Sequence, residues 1–118
     1  MLNEIRENYP NVLVADAGNF LFASPRLSPI SGEADKMAAR YVARGMNLVK
    51  YDVANIGPND LAAGLDFLLE IRKDISFTMI SSNIVSSRTA APIFEPSVVK
   101  TIGGVTVGFL KKLPALPI

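Results

Sequence analysis

The sequence predicts an α/β fold, with a mostly parallel βαβαβ sheet followed by a β-hairpin. Three short apolar runs alternate with two stretches of helical periodicity, an order that predicts parallel strands joined by right-handed crossovers. Towards the carboxyl end, Gly103-Gly104 separates two β-branched runs, which is a strong signal for a two-residue hairpin turn. With 118 residues, the chain is expected to form a single domain.

The amino-terminal elements are a short helix, a strand and a long helix. The first helix is predicted within residues 1–10 and ends before Pro10, because the residue before a proline disfavours the α region. Residues 11–15 are apolar and β-branched, as in a buried strand. The long helix is predicted from Gly32 to Val49, since acidic residues occupy its first turn and basic residues follow at its end. Its apolar stripe, which we expect to face the core, comprises Ala34, Met37, Ala38, Tyr41, Gly45, Leu48 and Val49.

The remaining elements follow from the stretch Tyr51–Gly64. It predicts a buried strand over 52–56, a break at Gly57-Pro58, and a helix that opens at Asn59 or Asp60 and continues to about residue 73. A third strand is predicted over 77–81, and the hairpin strands over 96–102 and 105–110. Polar side chains after the first two strands would meet at the carboxyl edge of the sheet, where α/β proteins usually keep their sites.

The absence of cysteine and histidine excludes several chemistries. Disulfides, thiolate metal sites and Ser-His-Asp catalysis are all excluded. A metal ion would have to bind oxygen ligands, which favours Mg, Mn or Ca.

The charge pattern argues against two classes of partner. The formal net charge is +1 and the charged residues are interspersed, so we expect no binding to nucleic acid. No apolar run is long enough to span a bilayer, and the polar start is not a secretory signal. If Met1 is the native start, the expected location is the cytoplasm.

Four segments of the chain are familiar. They are VLVADAGNFLFASP (Val12–Pro25), YDVANIGPNDLAAGLDFLLEI (Tyr51–Ile71), FTMISSNIV (Phe77–Val85) and IFEPSVVKTIGGVTVGFL (Ile93–Leu110). Together they resemble the 5'-nucleotidase branch of the calcineurin-like metallophosphoesterases. The resemblance implies half of an αββα sandwich, so that residues 1–118 would form an incomplete amino-terminal domain, and it implies a metal-dependent phosphoric ester hydrolase.

The positions that carry the family's chemistry are the ones that differ. Family members have a DAGD motif, whose last Asp bridges two metal ions, and a GNHEFDxG motif with a metal-binding Asn and a catalytic His. With Gly57 aligned to the first glycine, Pro58 stands at the Asn position, Asn59 at the His position and Asp60 at the following acidic position. Asn19 stands at the position of the bridging Asp.

These substitutions lead us to expect no hydrolase activity from the chain alone. Asn59 cannot shuttle a proton near neutral pH, and no residue takes the catalytic role. A single Mg or Mn ion on Asp16, Asn19 and Asp60 is one hypothesis, and a ligand-binding role for Asn59, Asp60 and Asn83 is another. The alternative is that the polar residues after these strands are caps and turn formers.

Three functions stay open at this point. The chain is a degenerate phosphoesterase-like domain that keeps the scaffold, a phosphohydrolase active only with a complementing chain, or a small interaction domain. In the first two, a phosphate-containing small molecule is the expected ligand. We also expect a homo-oligomer or a complementing chain, because an isolated half-sandwich exposes a sheet face and open edges. We expect the isolated chain to self-associate and to bury in a dimer the hairpin residues that need cover, which are Val98, Ile102, Val105, Val107 and Phe109.

Overall fold

The computed structural model describes residues 2–81, 84–85, 89, 91–110 and 116–117. Its helices are α1 (Leu2–Asn8), α2 (Gly32–Val49) and α3 (Leu65–Arg72), with a 3₁₀ turn over Pro58–Leu61. Its strands are β1 (Ala15–Asp16), β2 (Val53–Asn55), β3 (Thr78–Ile80), β4 (Ile84–Val85), β5 (Ser97–Ile102), β6 (Val105–Leu110) and β7 (Leu116–Pro117).

The central sheet is parallel and has the order β1-β2-β3. Helix α2 connects β1 to β2, and α3 connects β2 to β3. Strands β5 and β6 form an antiparallel hairpin that turns at Gly103 and Gly104, both at positive φ. The predicted fold class is therefore confirmed. Two further parallel contacts, Ile80 with Glu95 and β4 with β7, lie outside this pattern.

The core lies between one face of the sheet and the helices α2 and α3. Burying each large aliphatic side chain stabilises the fold by roughly 1.5–3 kcal/mol. From the helices come Ala39, Ala43, Met46, Phe67, Leu68 and Ile71, and from the sheet and its connections come Leu21, Phe22, Ala54, Ile56, Phe77 and Met79.

The predicted buried face of α2 is wrong. Met37, Tyr41 and Leu48 are 59%, 62% and 83% exposed, whereas the buried residues of this helix are Ala39, Ala43 and Met46. The helix is apolar on two faces, and the face with two alanines packs on the sheet because small side chains allow close approach. The large side chains of Met37, Tyr41 and Leu48 lie on the other face, and the sequence pattern therefore predicted that this other face would be buried.

The second predicted helix is also corrected. Pro58–Leu61 forms a separate 3₁₀ turn with Gly57 as its N-cap, and α3 begins only at Leu65. Gly64 has φ 90° and interrupts the helical path between them. Asn59 and Asp60 therefore lie inside the short turn and do not open the long helix.

The opposite face of the sheet is covered in part by the hairpin. Val53 and Ile80 are on this face and are only 1% and 3% exposed. The Lys100 ammonium donates a hydrogen bond to the Thr78 hydroxyl at 3.4 Å, linking β5 to β3. In the part of the chain that the structure describes, no helix has the length and apolarity needed to cross a membrane. The cellular location stays a prediction that depends on Met1.

Candidate functional site

The loops that follow β1 and β2 meet at the carboxyl edge of the sheet. They place at this edge the residues that we call the two-loop cluster, which are Asp16, Asn19, Asn59 and Asp60, and hydrogen bonds join Asn19 to Asn59 and Asp60. Gly57 is necessary for this approach, because a Cβ at this position would lie 2.8 Å from the backbone nitrogen of Asn19. Sequence reasoning expected these polar groups at one sheet edge. The structure joins Asn19, Asn59 and Asp60 there by hydrogen bonds, whereas the Asp16 side chain bonds within its own loop.

Asp60 links the two loops through its carboxylate. Its Oδ2 accepts hydrogen bonds from the backbone N–H of Gly57 at 2.8 Å and of Asn19 at 2.9 Å. Its Oδ1 accepts a third from Leu21 at 2.9 Å. The side chain is fully buried, at 0% exposure. A hydrogen bond to a charged group is worth about 1.5–3 kcal/mol, so this carboxylate is a major connection between the loops.

Burial is the largest influence on the pKa of the Asp60 carboxyl. It raises the pKa of this carboxyl above its usual range, because the charged form loses its hydration. The hydrogen bonds from Leu21, Gly57 and Asn19 stabilise the carboxylate and lower the pKa, but they only partly offset the effect of burial.

Asn19 adds a second connection between the loops. Its Oδ1 accepts a hydrogen bond at 2.8 Å from the backbone N–H of Asn59. Asn19 has φ 59°, a left-handed conformation that asparagine tolerates better than most residues. Asp16 acts within its own loop, since its Oδ1 accepts the Gly18 N–H at 2.8 Å, which is the turn chemistry expected from the sequence.

Asn55 is a buried polar residue that sequence reasoning missed. It is 7% exposed, and its Nδ2 donates to the Ala17 carbonyl at 2.9 Å, which fixes the first loop to β2. Its Oδ1 is buried without a hydrogen-bond partner among the described residues. The sequence feature that could have identified this residue is the presence of an asparagine inside the apolar run of β2.

A cavity of about 380 Å³ lies beside this edge of the sheet. Asp16 and Asn55 form its polar part, and Val53, Ile80 and Phe109 form much of its apolar part. Asn83, the third residue predicted to bind a ligand with Asn59 and Asp60, lies outside the described residues.

The residues of the two-loop cluster do not fit the two-metal centre that the fold family implies. Both Asp60 oxygens and the Asn19 Oδ1 already accept backbone N–H groups. Within the described residues, no group of three or more His, Cys, Asp or Glu side chains could hold a metal ion. A single ion on Asp16, Asn19 and Asp60 stays a prediction from the sequence.

Comparison with known proteins shows relatives among nucleotidases, although no family model matches the chain. The chain is 26% identical over 97 residues to a 2',3'-cyclic-nucleotide 2'-phosphodiesterase/3'-nucleotidase of Yersinia enterocolitica, a match that covers 81% of this chain and 15% of the relative. It is 28% identical over 114 residues to a 5'-nucleotidase of Rattus norvegicus, covering 92% of this chain and 19% of the relative. The chain thus spans less than a fifth of the length of these relatives.

Solved structures show the same fold. The calcineurin-like phosphoesterase YfkN from Bacillus subtilis superposes with a TM-score of 0.71 at 23% identity, over 92% of this chain and 36% of that structure. The 5'-nucleotidase precursor from Thermus thermophilus superposes with a TM-score of 0.69 at 23% identity, over 98% of this chain and 21% of that structure. The chain is therefore similar in sequence to part of these nucleotidases, and its structure has the fold of part of the phosphoesterases on which it superposes.

Proposed function

We propose that this chain is a phosphoesterase-like domain that keeps the scaffold of the nucleotidases and has no hydrolase activity on its own. The observation that carries the proposal is the Asp60 carboxylate, which is fully buried and accepts three backbone N–H groups. A carboxylate that is fully buried and bonded in this way joins the loops and is not accessible to a metal ion or a substrate at the surface.

The neighbouring positions support the same conclusion. A two-metal phosphoesterase needs several anionic or imidazole ligands that hold ions roughly 3.5–4 Å apart. Asn19 is neutral, and its side-chain oxygen is bound to the Asn59 backbone. Pro58 offers neither a side-chain ligand nor a backbone donor. Asn59 has no titratable proton near neutral pH, so it cannot serve as general acid or base.

A metal-dependent phosphohydrolase that works only with a complementing chain is the second candidate. It is favoured by the share of the relatives that this chain spans, 15% and 19% of the two described above. The complementing chain would have to supply metal ligands and a proton carrier, and the hydrogen bonds of Asp60 would have to open or be bypassed.

The test is phosphate release by the purified chain. AMP and bis(p-nitrophenyl) phosphate are incubated with the protein and either Mn²⁺ or Mg²⁺, and the expected rate equals that of a protein-free blank. Turnover above the blank that is lost in Asp16→Asn and kept in Asp66→Asn, an exposed carboxylate on α3, would overturn the proposal. Asp16→Asn is preferred to a change at Asp60, because loss of the Asp60 bonds also weakens the fold.

Nucleotide binding separates the scaffold proposal from an unrelated interaction domain. The phosphoesterase-like domain is expected to bind AMP without turnover, which calorimetry detects directly. A chain that binds no nucleotide at millimolar concentration would favour an interaction domain with no role in phosphate chemistry.

A further inference from the structure

The outer face of α2 carries an exposed apolar stripe. It points away from Ala39 and Ala43, which pack against the sheet, so it lies on the solvent side of the helix. Single exposed apolar residues are ordinary on protein surfaces, but a continuous stripe of them marks an interaction surface. We call this set the outer stripe: Ala34, Met37, Ala38, Tyr41, Gly45 and Leu48.

The spacing within the outer stripe is that of a helix-pairing seam. Ala34, Ala38, Tyr41, Gly45 and Leu48 follow one another at alternating steps of four and three residues, which is the repeat of coiled-coil contact positions. Three of these five residues are Ala or Gly, so another helix can approach closely. A Cβ added at Gly45 would meet no atom within 4 Å, so the space above it is open.

Charges beside the outer stripe favour one orientation of the partner. Glu33 lies at the start of α2 and Arg44 lies three turns later on the same flank, with its guanidinium 5.7 Å from the centre of the Tyr41 ring. In parallel pairing this flank of one helix would lie beside the opposite flank of the other, so Glu33 and Arg44 of the two copies would not meet. Antiparallel pairing brings Glu33 of each helix near Arg44 of the other, because the acidic end of one meets the basic part of its neighbour.

We propose that the outer stripe binds a second copy of this chain, with the two α2 helices antiparallel. In this register Ala38 of each copy packs against Tyr41 of the other, and Ala34 packs against Gly45. Each contact therefore pairs a small residue with a large or small one, and the helices can meet without a cavity at the centre. Glu33 falls about 3 Å along the helix axis from Arg44 of the other copy, given a rise of 1.5 Å per residue.

The first experiment measures self-association of the 118-residue chain by sedimentation over roughly 1–200 µM. The wild-type protein is expected to form a dimer, and Ala38→Glu is expected to weaken it at least about tenfold, because it places like charges and desolvated carboxylates in the seam. The matched control is Val99→Lys on the exposed side of the hairpin, where the wild-type side chain is 62% exposed. This control is expected to leave the dissociation constant unchanged.

A charge exchange tests the orientation and the identity of the partner. Glu33→Lys and Arg44→Glu are each expected to weaken the dimer about three- to tenfold, and the double variant is expected to recover most of the wild-type affinity. Only pairing between two copies of α2 in opposite directions predicts this mutual rescue. Both positions are exposed, so each variant is expected to keep its helix content, and circular dichroism is the measurement that checks this.

Three outcomes would overturn the proposal. A wild-type monomer at every concentration would mean that the outer stripe is free or covered by a different protein segment. A dimer that is lost in Val105→Lys and kept in Ala38→Glu would place the interface on the hairpin. A double charge variant no better than either single variant would exclude the antiparallel pairing.

Discussion

Asp60 acts over a long distance in sequence, and this is why its role was hard to predict. The sequence identified it as a cap, a metal ligand or a ligand-binding residue. Its hydrogen-bond donors include Asn19 and Leu21, about 40 positions away, and no local pattern reveals them. Asn19 was likewise identified from its motif position, but its bond to the Asn59 backbone depends on how the two loops meet.

Asp60→Asn should destabilise the protein by about 3 kcal/mol, since the amide NH₂ would face backbone donors and leave them without an acceptor. Urea unfolding measures the change. Asp74→Asn, at an exposed carboxylate after α3, is the matched control and should change the unfolding free energy by less than about 0.5 kcal/mol. Equal effects of the two substitutions would refute the structural role of Asp60.

The pH dependence of stability tests the burial of the same carboxyl. Its pKa in the folded protein is raised above the usual value of 3.8, so the folded state holds this proton more tightly than the unfolded state. The contribution of Asp60 to the unfolding free energy should therefore fall as the pH rises from about 4 through the raised pKa. The stability difference between wild type and Asp60→Asn should shrink over that range, and a difference that grows with pH would contradict the raised pKa.

Among the elements, the bounds of α2 were predicted correctly and its orientation was not. Gly32 to Val49 follows from the charge pattern and the periodicity, both of which are local. Which face of α2 packs on the sheet depends on how closely the helix can approach it. The face with Ala39 and Ala43 packs there, and the face with the larger apolar side chains is exposed. The break at Gly64 was missed because Leu61 and Leu65 fit a continuous helical pattern on either side of it.

The end of α2 offers a prediction about backbone conformation. Lys50, its C-cap, has φ 63° and is left-handed, a conformation that glycine adopts without strain. Lys50→Gly should therefore stabilise the protein by about 0.5–1 kcal/mol. Lys73→Gly is the matched control, because Lys73 caps α3 at φ −62° and glycine there should destabilise. Thermal unfolding compares the two, and stabilisation by both or by neither would show that the cap conformation is not the cause.

For the molecule as a whole, the order of strands and the hairpin could be read from the sequence, because apolar runs, helical periodicity and the Gly103-Gly104 turn are local signals. The covering of the second face of the sheet could not be predicted from the sequence, because it depends on β5 and β6 folding back over Val53 and Ile80. The candidate site was predicted as far as its position at the sheet edge. Its network of hydrogen bonds between the loops came only from the structure.

The most direct test of the metal-free scaffold is the thermal stability of the chain with and without divalent metal. A site that binds Mn²⁺ with a dissociation constant one hundred times below the free concentration would stabilise the folded state by about 2.7 kcal/mol. Because protein hydrogen bonds join the two loops, we predict the same melting temperature in 1 mM MnCl₂ as in EDTA. A melting temperature several degrees higher in MnCl₂, lost in Asp16→Asn, would show that a metal ion holds the loops and would contradict a scaffold joined by protein hydrogen bonds alone.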